Sequence, residues 1–553
     1  MDSSIPRSDV VFMPRLALLV WVVTLLIQLT IVITTPKGIS WDPSYGLLAA
    51  QQQLIGMSPD IFTLVEADPA NITQLVATPV SYWAPAYQAI PFAFRFAGLD
   101  WGMALNLTLA TALVAGAVGW FLYFARVSSS CEIACWLSAL LALTRFRWTM
   151  ALTYDGGDQF IWAASPWVLI FAATALRFAQ ERENAGAAWI YSTLAGATGA
   201  SLFALKYSGV FVAIGSALVF VSSCIRRRYW LMIVFASLGF VTVNLAIHWG
   251  GFPRGVTPAN ATQKMDILGS VAVFGMPAVG VTDLDRILRP FLSNGALSPV
   301  TSVLLIGLAL SSVTFVGFAC FVRSRPMTGP ILGDRLLINL AVGAVIADVL
   351  IFFFLTLQGA NISPGGRFGR VSGLLLLPIL VLGWLAMLRD DRLIWRCFAV
   401  LSATIFLILP VTLATARQLP NLIDRFQNRA AAVDSDGVVN IALTPGADAQ
   451  AFYAELRSIS AEGVLYTIYP QMAFPLPRRP LILVEAEEQE TIKTLSTRTY
   501  YGRPAHGVAL LLPRAFQYNG KLDAIKSSFV DIPTFRGHEM RSDPKWVLWV
   551  SSD

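Results

Sequence analysis

Long apolar runs alternate with short polar ones along most of this chain. Runs near the ~20 residues needed to cross a bilayer recur at 14–35, 101–125, 131–150, 158–179, 187–204, 207–225, 229–249, 298–322, 334–357, 371–388 and 393–416, eleven in all. Two further apolar stretches, 84–97 and 267–281, are shorter and read as interfacial or re-entrant segments. After residue 416 the pattern changes. Residues 417–553 hold no run of spanning length, and pieces such as GVVNIALTP, AQAFYAELRSI, GVLYTIYP and GVALLLP alternate between strand-like and helix-like periodicity. The expected fold is mostly α: a polytopic transmembrane helical bundle over 1–416 and a soluble α/β domain over 417–553, with 417–437 as the link.

Composition agrees. The chain is 56% hydrophobic and 13% charged, where a soluble chain carries about 25% charged residues. The net charge of +6 does not point to nucleic acid, because membrane proteins concentrate Lys and Arg on cytoplasmic loops. With the N-terminus cytoplasmic, the inside loops are ARVSS, RFAQERENAG, IRRRYW, VRSRPMTGPILGDR and RDDRLIWR, short and dense in Arg. The outer loops, chiefly 36–100 and 250–297, carry their positive charges sparsely. An odd number of spans then puts the C-terminal domain outside. That domain holds 15 Lys/Arg against 15 Asp/Glu. The run behind Arg7 and Arg15 has no small-residue cleavage site after it and reads as a retained helix. All five cysteines lie in or beside apolar runs, which gives no disulfide framework. Cys131 and Cys135, at i, i+4, lack further ligands for a metal set.

On this topology the unusual polar residues gather on the outer face. Asp42 stands in GISWDPSYGLLAAQQQLIG just after the first span, followed by Tyr45. Tyr82 and Trp83 lie later in the same loop, in SYWAPAYQAIPFAF. Asp155 and Asp158, in LTYDGGDQFIW, precede and open the fourth span. Lys206 sits in a tight outer turn, His248 ends the seventh span, and Arg367 and Arg370 open the tenth. Each has a plainer reading. Asp42 would cap a helix starting near Ser44, and Asp155 or Asp158 the fourth span. Lys206 would snorkel to headgroups, His248 would be interfacial packing, and the two Arg residues a basic flank. Their place outside, where positive charge is disfavoured, argues for more. Asp348 lies inside the ninth span, AVIADVLIFFF, with no partner evident; an acid there is functional by default, or hydrogen-bonded and structural.

Four of these pieces resemble, in order, the C superfamily of membrane glycosyltransferases, especially the group of the protein mannosyltransferases and the lipid A aminoarabinose transferase. WDPSYGLLAAQQQLIG is similar to that family's first outer loop, with an acid before a juxtamembrane helix. YWAPAYQAIPFAF resembles a later part of the loop, GATGASLFALKYSGVFVAIGSALVF a small-residue segment followed by Lys, and GGRFGRVSGLLLLPILVL the Arg-bearing start of a late span. The sequence departs from the pattern in two places. Pro43 follows Asp42 where relatives show Tyr, and the usual Arg-Tyr pair reads Arg367-Phe368 or Arg370-Val371.

The resemblance implies an enzyme that moves a sugar from a polyprenyl-phosphate donor to an acceptor hydroxyl with inversion. Asp42 would be the base, and Lys206 with Arg367 or Arg370 would hold the donor phosphate. Tyr45, Tyr82, Trp83 and His248 would bind substrate. Asp155 and Asp158 would orient the acceptor or weakly hold Mg²⁺ or Mn²⁺. The partners implied are the lipid-linked donor, a glycan, lipid or protein acceptor, and the bilayer. The setting implied is a bacterial inner membrane with a periplasmic C-terminal domain. Two rivals are an O-antigen-type polymerase or ligase, working through His248 and Arg254, and a transporter or flippase, for which two similar halves would be expected.

Overall fold

The structure is a computed structural model. It describes residues 9–54, 84, 86–181, 184–249, 265–281, 284–292, 297–324, 333–359, 365–427, 433–459, 464–467, 469–473, 475–476, 481–483, 508–527 and 534–551.

The chain enters through α1 (Asp9–Thr34), makes a two-residue strand β1 (Gly38–Ile39), and turns into α2 (Trp41–Leu54) and α3 (Ala86–Phe96). It returns through α4 (Trp101–Ser128), which starts on an Asp100 cap accepting from Met103 N at 2.6 Å. Asn106 donates to the Ile33 carbonyl at 2.8 Å, so the start of α4 lies beside the end of α1.

The expected span 131–150 is broken in two. α5 (Cys131–Ala142) and α6 (Arg145–Leu152) meet at Leu143-Thr144. A break inside hydrocarbon frees carbonyls that must find donors, and here side chains supply them. Gln28 donates to Ala142 O, Thr144 Oγ1 to Leu141 O at 2.7 Å, and Trp148 Nε1 and Thr415 Oγ1 both to Leu143 O at 3.2 Å. After α6, strand β2 (Thr153–Tyr154) pairs in parallel with β1, Gly38 opposite Thr153. This pairing fixes the level. The broken segment starts at Ser130, beside the turn where Gly333 N bonds Val127 O at 2.9 Å, and ends at the far side next to the exit of α1. Among the described residues ten helices are long and apolar enough to span; the broken pair covers about 30 Å at 1.5 Å per residue, where the sequence pattern expects an eleventh run.

The other crossings are α7 (Gly157–Glu181), α8 (Ala185–Leu205), α9 (Gly209–Arg227) and α10 (Trp230–Trp249), then α14 (Pro299–Ser324), α15 (Arg335–Leu357) and α16 (Gly366–Leu388), and last α17 (Leu393–Ala403) running through a π turn into α18 (Leu409–Gln427). That last helix continues eleven residues beyond 416. Short helices α11 (Ile267–Ala272), α12 (Met276–Gly280) and α13 (Leu284–Leu292) lie between α10 and α14. The two short apolar stretches are thus short helices. On the face away from β1 and β2, Arg126 and Asp334 pair and tie α4 to α15.

The C-terminal part is α/β as expected. It contains α19 (Ala449–Ile459), β3 (Val464–Thr467), α20 (Pro470–Ala473), β4 (Leu481–Leu483), β5 (Val508–Pro513), α21 (Lys521–Ser527), β6 (Phe535–Glu539) and β7 (Trp546–Ser551). The sheet runs β4-β3-β5-β7-β6, parallel through its first three strands and antiparallel after. It docks on the β1–β2 face. Gly102 N bonds Asp436 O at 2.8 Å, and Val439 N bonds Lys37 O at 2.8 Å.

Candidate active site

The β1–β2 pair holds the site together. It sets two chain segments side by side, one leading into Asp42 and the other into Asp155 and Asp158. Gly156, at φ +65°, lets the second segment turn into α7. A side chain there would press on Pro43 Cβ at 3.1 Å, so the residue after Asp42 packs against the turn between the two acids. Tyr154 OH donates to Tyr87 O at 2.5 Å and anchors α3 to the same turn.

Helix α2 starts at Trp41, earlier than the expected Ser44, and Ser44 N bonds Ser40 O at 3.2 Å. The cap position therefore belongs to Ser40, and Asp42 lies inside the first turn. The side chains of Asp42, Tyr45 and His248 fall outside the described residues, as do Tyr82 and Trp83 entirely.

Asp158 is also not a cap. It opens the first turn of α7 and forms an ion pair with Lys206, the residue that ends α8. Lys206, Arg367 and Arg370 all act electrostatically on Asp158. Asp158, Arg367 and Arg370 line one narrow cleft with Ser208, Phe368 and Asp348. Phe368 stands between two cations, with Lys206 Nζ 5.0 Å and the Arg367 guanidinium 4.7 Å from its ring centre. Phe368 follows Arg367 where the resemblance would have Tyr, and it has no hydroxyl to donate. Arg370 is buried and lies 3.9 Å over the Phe146 ring. One exposed and one buried, the two arginines line the same cleft.

Asp155 is half-buried, with Gln159 Oε1 accepting from its backbone N at 3.1 Å. Burial, and then the charge of Asp158, push its carboxyl above the usual carboxylate range; a Ser40 hydrogen bond and the charges of Arg370 and Arg145 pull the other way. Asp348, for which the sequence offers no partner, accepts from Ser372 Oγ at 2.5 Å and reaches the same cleft from the bundle side.

Sequence reasoning missed Ser40, Arg145 and Ser372, and named Phe368 only as the residue that follows Arg367 where the resemblance has Tyr. Only Arg145 left a signal: RFRW places two arginines inside an apolar run, which is what a broken crossing would show.

The residues fit a divalent cation poorly. Asp158 already spends an oxygen on Lys206, Asp155 bonds Ser40, and no group of three His, Cys, Asp or Glu residues converges among the described residues. Three cations, set against Asp158 paired to Lys206 and Asp348 bonded to Ser372, suit an anionic ligand better.

No family model matches the chain, and no curated protein does. Among solved structures, ArnT from Cupriavidus metallidurans bound to undecaprenyl phosphate is similar at TM-score 0.49 and 14% identity, over 99% of this chain and 98% of that one. The apo state of the same protein gives 0.47 and 13%, over 98% of each chain. The archaeal oligosaccharyltransferase AglB from Archaeoglobus fulgidus, in complex with an inhibitory peptide and a dolichol-phosphate, gives 0.46 and 12%, over 97% of this chain and 74% of that one.

Proposed function

We propose that this chain is a membrane glycosyltransferase of the C superfamily, moving a sugar from a polyprenyl-phosphate donor to an acceptor hydroxyl. The observation that carries this reading is the meeting of two features at one end of the bundle. The Asp42-bearing first turn of α2 is stitched by β1–β2 to the edge of a cleft lined by cations.

An acceptor hydroxyl becomes a useful nucleophile only as a base takes its proton. In this reading Asp42 takes it. The acceptor oxygen bonds to the anomeric carbon from the face opposite the phosphate, the bond from that carbon to the phosphate oxygen breaks, and configuration inverts. The bond electrons leave on the polyprenyl phosphate. Lys206, Arg367 and Arg370 hold that charge; fixed in place beforehand, they need little reorganisation as it develops. Asp155, whose carboxyl burial and the charge of Asp158 push upward, stands beside Asp42's segment and would orient the acceptor.

The lipid explains the depth. A polyprenyl chain stays in the bilayer, so the reacting phosphate must meet the protein at the membrane edge, where α7, α8 and α16 begin or end. The density of Arg on the opposite loops makes the site face the outer one, with the N-terminus cytoplasmic and the C-terminal domain periplasmic in a bacterial inner membrane. The polymerase or ligase reading depends on His248 and Arg254, and no observation favours it.

The test compares purified wild type and Asp42→Asn on a panel of polyprenyl-phosphate sugars, following free polyprenyl phosphate by mass spectrometry. Release by wild type and none by the variant is expected. Turnover retained by Asp42→Asn removes Asp42 as the base.

A further inference from the structure

The broken crossing turns three successive residues of α6, roughly 100° apart around the helix, toward three different neighbours. The charge of Arg145 acts on Asp155. Phe146 lies against Arg370, whose guanidinium carbon is 3.9 Å from the centre of its ring. Arg147 donates to Gln28 of α1 and stands 4.7 Å from the ring centre of Trp162. Phe146, Arg147, Trp162 and Arg370 are all buried. The ring of Phe146 is itself held. Trp162 meets it at 5.7 Å between ring centres, tilted by 59°. Trp162 is fixed in turn: its main-chain carbonyl accepts from Trp120 Nε1 at 2.9 Å, and its ring leaves no room for a Cβ on Gly116 of α4.

A ring and a carboxylate hold an arginine in different ways. A carboxylate takes up the N–H fork and offsets the charge. A ring meets the flat face and uses no donor, so the edge of the guanidinium and its charge remain for an oxyanion. The contact is also stronger in a desolvated setting than at a surface. The element that supplies the ring matters as much. Arg370 belongs to α16, whereas α6 runs straight into β2, which pairs with the strand before Asp42 and leads on to Asp155. The Phe146 ring therefore ties the cationic side of the site to its acid side.

We propose that Phe146 is a positioning residue: the π face of its ring seats the Arg370 guanidinium, and so sets where the leaving phosphate of the donor is held relative to the acids. The second half of this statement rests on the transferase reading. The seating of Arg370 by the ring does not, and it is measured without any donor.

Full-length protein in detergent is treated with phenylglyoxal, which modifies arginine, and the rate at each arginine is read by peptide mass spectrometry. Two variants are compared with wild type. Phe146→Leu keeps an apolar side chain and removes the ring; a ring-fluorinated phenylalanine placed at 146 by amber suppression keeps the shape and weakens the π face. Labelling of Arg370 is expected to rise roughly tenfold in Phe146→Leu, the scale of a desolvated cation–π contact, and severalfold with the fluorinated ring, while Arg367 stays as in wild type. Unchanged labelling of Arg370 with the fluorinated ring overturns the proposal, since Phe146 would then only fill space; if Phe146→Leu does not fold, that ring alone decides. With a polyprenyl-phosphate sugar that wild type turns over, Phe146→Leu should lower kcat roughly tenfold with little change in KM, and should cost little more in an Arg370→Lys background, because both variants remove one contact. Full additivity would show that Phe146 does not act through Arg370. Silence of wild type on every donor would count against the transferase reading and leave the labelling result standing.

Discussion

At the residue scale, the two arginines of α16 differ in environment more than in chemistry. Arg370 is buried over Phe146, whereas Arg367 is exposed beside Phe368. A lysine at 370 would keep the charge but lose the planar face and the fork. Arg370→Lys should therefore cost roughly 10²–10³ in kcat, in the range found when a fixed charge-stabilising donor is lost. Arg367→Lys should raise KM severalfold with a smaller effect on kcat. Equal losses in the two, in steady-state assays with one donor, would refute the distinction. Lys206 tests the same cleft differently. Lys206→Met removes a cation and strips Asp158 of its ion-pair partner, so donor binding should weaken further than in Arg367→Lys. Restoring part of it with the double variant Lys206→Met, Asp158→Asn would show that the stranded carboxylate was repelling the phosphate; no recovery would show that it was not. Much of this cleft is legible in the sequence, because a charge beside an apolar span stands out. Asp158, Lys206, Arg367 and Arg370 are all found that way. Ser372 is not, since a serine within an apolar helix looks the same whether or not it touches a cleft.

At the element scale, packing between short helices and spans sets where those charges stand. Helix α12 crosses α16 so closely that a Cβ on Gly280 would come 2.5 Å from Arg370 N. Gly280→Ala must push the two helices apart and carry the Arg370 backbone with it. A shift near 1 Å at a charge-stabilising group can cost roughly 10²-fold. Activity should fall about that far although no charged residue is altered, while expression and Lys206→Met-like donor-binding defects stay absent. Unchanged activity would mean that α16 is held by other neighbours. The broken crossing marks where sequence pattern fails. Hydropathy over 131–150 averages away the Leu143-Thr144 break, because Thr144 and the two arginines sit among strongly apolar neighbours. The side chains that repair the break, Gln28 and Thr415, come from 114 and 272 residues away. No local pattern carries such long-range information. The same holds for β1–β2, two residues each, which the chain's periodicity does not announce.

At the scale of the whole molecule, the α/β domain is seated on the site face by a loop whose acid titrates. Asp434 Oδ1 accepts from Asp436 N and Val438 N, both at 2.9 Å, and the same loop contacts Gly102 and Lys37 through Asp436 and Val439. Burial pushes the Asp434 carboxyl up to about 6 from 3.8, against the pull of those two backbone bonds. For an acid raised in the folded state, the native form holds its proton longer than the unfolded one. The associated stability is then fully present below the unfolded value and is lost as pH rises through about 6. Wild type should thus dock this domain less firmly at about pH 7.5 than at about pH 5. Asp434→Asn keeps an acceptor oxygen for both backbone bonds and removes the titration. Its thermal unfolding should change less between those two pH values than that of wild type, measured on the C-terminal unit's tryptophans. A variant whose pH response matches wild type would assign the effect to other groups. Because the seat contacts lie at the start of α4 and the exit of α1, on the face that carries Asp42 and Asp155, loosening it should also alter access to the cleft. Activity on a large acceptor should then track the docking transition more steeply in wild type than in Asp434→Asn, while release of polyprenyl phosphate to water should not.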